Sequence, residues 1–147
     1  MVNTELGSTT HNLNGWYPGD KQFDWLKNDL SGVNRATTPW IVVMGHRPSF
    51  GAHPPTSPAR PNAFETLLFT AEVDVTVAGH VHYAELSCPL YQGQCRNAST
   101  LGGYDAPVHI VAGNGGQGLN NASAPSAHFP YTGSNTLRCV RKCTTVR

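Results

Sequence analysis

Apolar positions along the chain change period several times, and each change predicts an element. Phe23, Leu26, Leu30 and Val33 recur at i, i+3, i+7 and i+10, one face of an α-helix. Asp20 is placed to cap free amides of its first turn, and Gly32 and Asn34 mark where it stops. Thr37-Thr38-Pro39 leads into a continuous apolar run, Trp40-Ile41-Val42-Val43-Met44, whose β-branched centre predicts a strand buried on both faces. Pro48, Gly51, Pro54, Pro55, Pro58 and Pro61 make residues 47–61 a loop. A second helix is predicted over residues 62–71, with Phe64, Leu67 and Leu68 as its buried side. Residues 73–78 (Val-Asp-Val-Thr-Val-Ala) read as a second buried strand, 83–86 as a short further strand, 92–105 as a loop and 107–112 as another strand. Residues 1–19 form a polar, Gly-rich lead-in. The last thirty residues are rich in Asn, Ser, Pro and Gly and predict no packed element and poor order. Helix, strand, helix, strand and further strands make a layered α/β arrangement.

Composition narrows the function classes. A chain of 147 residues holds one domain at most. Net charge is +1, so no polyanion surface is implied and nucleic acid is not an expected partner. The longest apolar runs fall far short of the roughly 20 residues that span a bilayer, so no membrane is expected either. Residues 1–7 have neither a basic start nor an apolar core, and no signal peptide is read in this chain. Cys88 and Cys95 enclose a short loop with Pro89, Gly93 and Gln94, as a disulfide of an oxidising compartment would. A four-cysteine zinc site with Cys139 and Cys143 is the rival, and the spacings C-x6-C and C-x3-C fit it poorly. The glycosylation sequons at Asn97 and Asn121 point the same way as the disulfide, toward a secreted protein.

The chemistry gathers at two strand ends. Gly79-His80-Val81-His82 follows the second strand, and His46 follows the first. Ligands of open α/β sheets sit beyond the carboxyl ends of strands, and imidazole suits zinc and iron. Histidines at i and i+2 diverge on a continuing strand. Gly79 is expected to supply a bend that lets both converge, or lets them serve two adjacent metals. His109 lies inside a strand and is expected to be structural, and His11 and His128 have no assigned role.

Val43-Met44-Gly45-His46 matches a V-x-x-H block and Gly79-His80-Val81-His82 a G-H-x-H block. Around them lie Gln22-Phe23-Asp24-Trp25-Leu26, Thr38-Pro39-Trp40, Gly45-His46-Arg47-Pro48, Val73-Asp74-Val75, and Val108-His109-Ile110-Val111 before Gly113-Asn114-Gly115-Gly116. In these blocks and their order the chain resembles the C-terminal half of the catalytic domain of purple acid phosphatases, within the calcineurin-like metallophosphoesterases. The likeness covers roughly residues 20–116, leaving 1–19 as lead-in and 117–147 as tail. It implies part of a layered α/β/α sandwich and a phosphoric monoester hydrolase that acts on small phosphomonoesters. A metal-activated hydroxide at a dinuclear centre would do the chemistry. His46 and His80 would bind a divalent ion (zinc, manganese or iron) and His82 the ferric ion. His53, the one histidine in the proline-rich loop, would bind phosphate and protonate the leaving oxygen. By the same likeness the protein is secreted.

The family's D-x-G, G-D-x-x-Y and G-N-H-[DE] blocks are missing. Gly19-Asp20-Lys21-Gln22-Phe23 has Phe where the ligand Tyr belongs, and Gly113-Asn114-Gly115 lacks the His. Of a tyrosine, glutamate and arginine expected after G-H-x-H, Ala84-Glu85-Leu86 keeps only Glu85. The chain therefore carries part of a site. It is expected either to act once the N-terminal half of the domain is supplied, or to be an inactive truncated remnant that binds at most a single metal ion.

Overall fold

The structure is a computed structural model that describes residues 1–4, 17–50, 62–96, 104–115, 118–121 and 131–133. The apolar stripe around Phe23 folds as helix α1 (Lys21–Ser31), with Phe23, Leu26 and Leu30 buried. Asp20 is its N-cap residue, yet it makes no side-chain cap bond to the helix. Its carboxylate instead accepts the Tyr17 N–H at 2.9 Å. The expected cap is thus corrected, because the turn at Tyr17-Pro18-Gly19 takes the same acceptor. Helix α2 (Asn62–Thr70) buries Phe64 and Leu68.

Strands β1 (Val42–Met44), β2 (Val75–Ala78) and β5 (Val108–Ala112) are parallel neighbours. Strand β3 (Ala84–Tyr91) runs antiparallel to β5 and also pairs with β4 (Gln94–Cys95) and β6 (Tyr131–Gly133). The sheet order is β1-β2-β5-β3-β4, with β6 on β3. Register places Val43 beside Thr76 and Thr76 beside His109, facing the helices. The main core joins Ile41 and Val43 to Leu26, Leu30, Phe64, Leu68 and Val73. The α/β class expected from the element order is therefore observed.

Several expectations are corrected. β1 is not buried on both faces: Val42 is 52% and Met44 45% exposed, and Trp40 before them 70%. The two helices cover only the Ile41/Val43 face, and among the described residues no element covers the other. The strand also starts later than residue 40, where the Ile41 N–H is taken by the Asp74 carboxylate at 2.7 Å. That carboxylate is itself paired with Arg35 at 2.6 Å. Past residue 86, β3 continues and reverses at Gln92-Gly93, whose positive φ angles (51° and 68°) suit a tight hairpin into β4 where a loop was expected. The Cys88–Cys95 disulfide ties this hairpin, with Cα atoms 5.7 Å apart. The tail contributes a hydrogen-bonded strand, β6, because β3 still has an edge to satisfy beside residues 84–86. Val2 and Thr4, read as lead-in, are buried, and the Val2 N–H donates to the Met44 carbonyl at 2.8 Å.

Candidate metal centre

The two strand exits that carry the histidines stay hydrogen-bonded to each other. The Gly45 N–H donates to the Val77 carbonyl at 3.0 Å and the Gly79 N–H to the His46 carbonyl at 2.9 Å. Beyond Ala78 the backbone coils through two tight turns, with Val81 N–H on the Gly79 carbonyl (2.7 Å) and Tyr83 N–H on that of Val81 (2.9 Å). Alternation of faces therefore ends there. His80 has φ +60°, a left-handed conformation that costs a non-glycine residue about 1–2 kcal/mol. The bend assigned to Gly79 thus sits at His80 itself, since Gly79 is not among the positive-φ glycines.

This turn brings His80 Nδ1 to 3.2 Å from His46 Nε2, with the rings edge to face at 74°. Two imidazoles on one tetrahedral zinc, each bonded at about 2.0–2.1 Å, hold their nitrogens about 3.3 Å apart. The pair therefore fits a shared cation in spacing and donor type. His82 has other partners. Its Nδ1 lies 2.7 Å from the Gly118 carbonyl, and Asn120 brackets its backbone, accepting the His82 N–H (2.7 Å) and donating to its carbonyl (3.0 Å). A carbonyl only accepts, so Nδ1 donates, and in a neutral imidazole that places the lone pair on Nε2, the usual arrangement behind a metal-bound ring. Among the described residues, no three or more His, Cys, Asp or Glu side chains gather to hold a metal ion. His53 and Asn97 lie outside the described residues, and Asn121 is exposed.

Other supports of the site come from residues to which the sequence assigned no role. Thr4 Oγ1 accepts the Arg47 N–H at 2.5 Å, and Gly45 passes so close that a Cβ there would overlap the Thr4 side chain. Arg47 Nη1 lies 2.8 Å from His80 Nε2. A Cβ on Gly113 would overlap the Val81 carbonyl, so the Gly-Asn-Gly-Gly block permits close packing under the histidine turn. Buried Tyr83 directs its hydroxyl toward Glu85 at 3.4 Å, supplying a tyrosine from one residue before Ala84. His109 is buried against Phe50, with Nδ1 2.7 Å from Thr76 Oγ1 and no partner for Nε2 among the described residues. Burial lowers its pKa to about 4, partly offset by a backbone interaction with Leu90.

Residues 3–84 match the family model of the calcineurin-like phosphoesterases. The chain belongs to that family. It is 41% identical over 98 residues to purple acid phosphatase 22 of Arabidopsis thaliana, a match covering 65% of this chain and 21% of the relative. It is 32% identical over 116 residues to a probable inactive purple acid phosphatase 1 of the same plant, covering 71% of this chain and 19% of that one. A solved purple acid phosphatase from yellow lupin (Lupinus luteus) seeds superposes with a TM-score of 0.73 at 25% identity, covering 82% of this chain and 23% of the lupin chain. The chain thus spans about a fifth of the length of these curated relatives. Among the described residues no helix is long and apolar enough to cross a membrane.

Proposed function

We propose that this chain supplies the histidine side of a purple acid phosphatase-type centre that hydrolyses phosphoric monoesters. In this reading His46 and His80 hold a divalent ion (zinc, manganese or ferrous iron) and His82 a ferric ion. One observation carries it: in a calcineurin-like phosphoesterase, His46 Nε2 and His80 Nδ1 meet at 3.2 Å at the ends of two parallel strands. When bound, a metal pair lowers the pKa of water and neutralises phosphoryl charge. The chain's own residues orient the ligands. The strained turn aims His80, the Gly118 carbonyl sets the His82 ring, and His53 is assigned to phosphate and the leaving oxygen.

Hard oxygen donors are the missing half of such a centre, and a protein segment bearing them is the expected partner. The half-exposed Val42 and Met44 of β1, which no element covers among the described residues, offer it an apolar seat. The Cys88–Cys95 disulfide and the sequons at Asn97 and Asn121 support a secreted glycoprotein.

The test is metal titration of the full chain after chelator treatment, followed by an aryl phosphate assay. Zinc binding that disappears in a His46→Ala, His80→Ala double variant is the expected result, and zinc binding unchanged in that double variant would sink the ligand assignment. Two metals per chain with chelator-sensitive turnover indicate a working enzyme. The second reading, an inactive remnant with one metal, is favoured by the absence of a three-ligand cluster among the described residues and predicts one zinc and no turnover.

A further inference from the structure

Arg47 bears directly on whether the histidine pair can take a cation. Its Nη1 is 2.8 Å from His80 Nε2, and a guanidinium has donors only. His80 Nε2 must therefore accept, which leaves the proton of a neutral imidazole on Nδ1. That proton points at His46 Nε2, 3.2 Å away, which accepts in turn. The three side chains form a one-way relay, Arg47 to His80 to His46. Every lone pair the relay uses is one that a metal ion would need. His80 can ligate through neither nitrogen while Arg47 is in place, and His46 Nε2 is engaged as well. A fixed positive charge at this distance also opposes an arriving dication. The relay is anchored from outside the site: the Arg47 backbone N–H is held by Thr4 Oγ1 at 2.5 Å, and Thr4 is buried against Gly45.

We propose that Arg47 is a positioning residue that latches the His46–His80 pair and competes with the cation for it, so that metal loading requires Arg47 to leave His80. This deepens the metal-centre reading and rests on it. Removing the latch should tighten metal binding, whereas a merely structural arginine would leave binding unchanged or weaken it.

The experiment uses the full chain, stripped with chelator and titrated with zinc by calorimetry, as wild type, Arg47→Met and Arg47→Lys. A control variant, Lys21→Met, removes one exposed positive charge on α1. The expected result is at least tenfold tighter zinc binding in Arg47→Met, a smaller gain in Arg47→Lys, and no change in Lys21→Met. A nitrogen-detected NMR spectrum of the chelator-treated wild type should show His80 protonated at Nδ1, with that preference lost in Arg47→Met. Unchanged or weaker zinc binding in a folded Arg47→Met, or a wild-type His80 protonated at Nε2, overturns the latch while leaving the ligand assignment standing. Absence of zinc binding in wild type and Arg47→Met alike overturns both.

Discussion

His80 holds a left-handed backbone so that its ring reaches His46, and that geometry sets stability against binding at one residue. Replacing it with glycine should relieve strain of about 1–2 kcal/mol, offset in part by added chain entropy. We expect urea denaturation of His80→Gly to show stability equal to or above wild type, with zinc binding lost. A large loss of stability would mean that the ring is needed for packing. The three histidines could be picked out in the sequence because each follows an apolar run and two lie beside a glycine. Their supports could not. Thr4 and Arg47 are 43 positions apart, and Gly118 lies 36 from His82, so nothing local marks them as neighbours.

Among the elements, the turn from Gly79 to Tyr83 and the β3–β4 hairpin depend on particular residues. Adding a methyl at Gly113 forces the Val81 carbonyl aside. Gly113→Ala should cost about 1–3 kcal/mol, as overpacking does, and should weaken zinc binding because His80 and His82 flank Val81. Paired denaturation and calorimetry check both effects, and full stability with unaltered binding would count against this packing role. The hairpin disulfide closes a loop with a sequence separation of 7, short enough that its removal as Cys88→Ser, Cys95→Ser should cost about 2 kcal/mol. Denaturation under non-reducing conditions reads that difference. Helix α1 was legible because its apolar period persists over ten residues. The hairpin was not, since Gln92-Gly93 is a weak turn signal compared with Asn-Gly. Strand β6 was hidden for another reason: three residues in a polar tail become a strand only when β3 offers an open edge.

The molecule as a whole should be sensitive to acid through His109. Its imidazole is neutral in the fold, with a pKa lowered from 6.5 to about 4 by burial. Between those values the unfolded chain binds the proton and the folded chain does not, so stability rises with pH across this window and falls on acidification. The full loss from above pH 6.5 to below pH 4 is about 3 kcal/mol. Denaturation midpoints followed from pH 7 to pH 4 should fall less steeply in His109→Gln than in wild type, and parallel slopes would refute this source of acid sensitivity. The side of β1 that no element covers among the described residues gives a second whole-molecule expectation. With Val42 and Met44 about half exposed, the isolated chain should bind an apolar dye, and Val42→Lys with Met44→Glu should reduce that signal without loss of helix content by circular dichroism. An unaltered dye signal would show that another surface is responsible.

Sequence alone determined the α/β class, the apolar stripe of α1, the ends of the two strands where the histidines stand, and the family likeness, because each is written in local periodicity or in short ordered blocks. Tertiary structure alone decided which histidines meet. A period-two reading cannot foresee a left-handed residue, and the pairing of His46 with His80 depends on parallel strands whose contacts span 34 positions. It also decided that His82 answers to Gly118 and Asn120, that Arg47 sits on His80, and that Val42 and Met44 stay about half exposed. These follow from long-range packing, where a residue's partner is set by the fold and not by its neighbours in the chain.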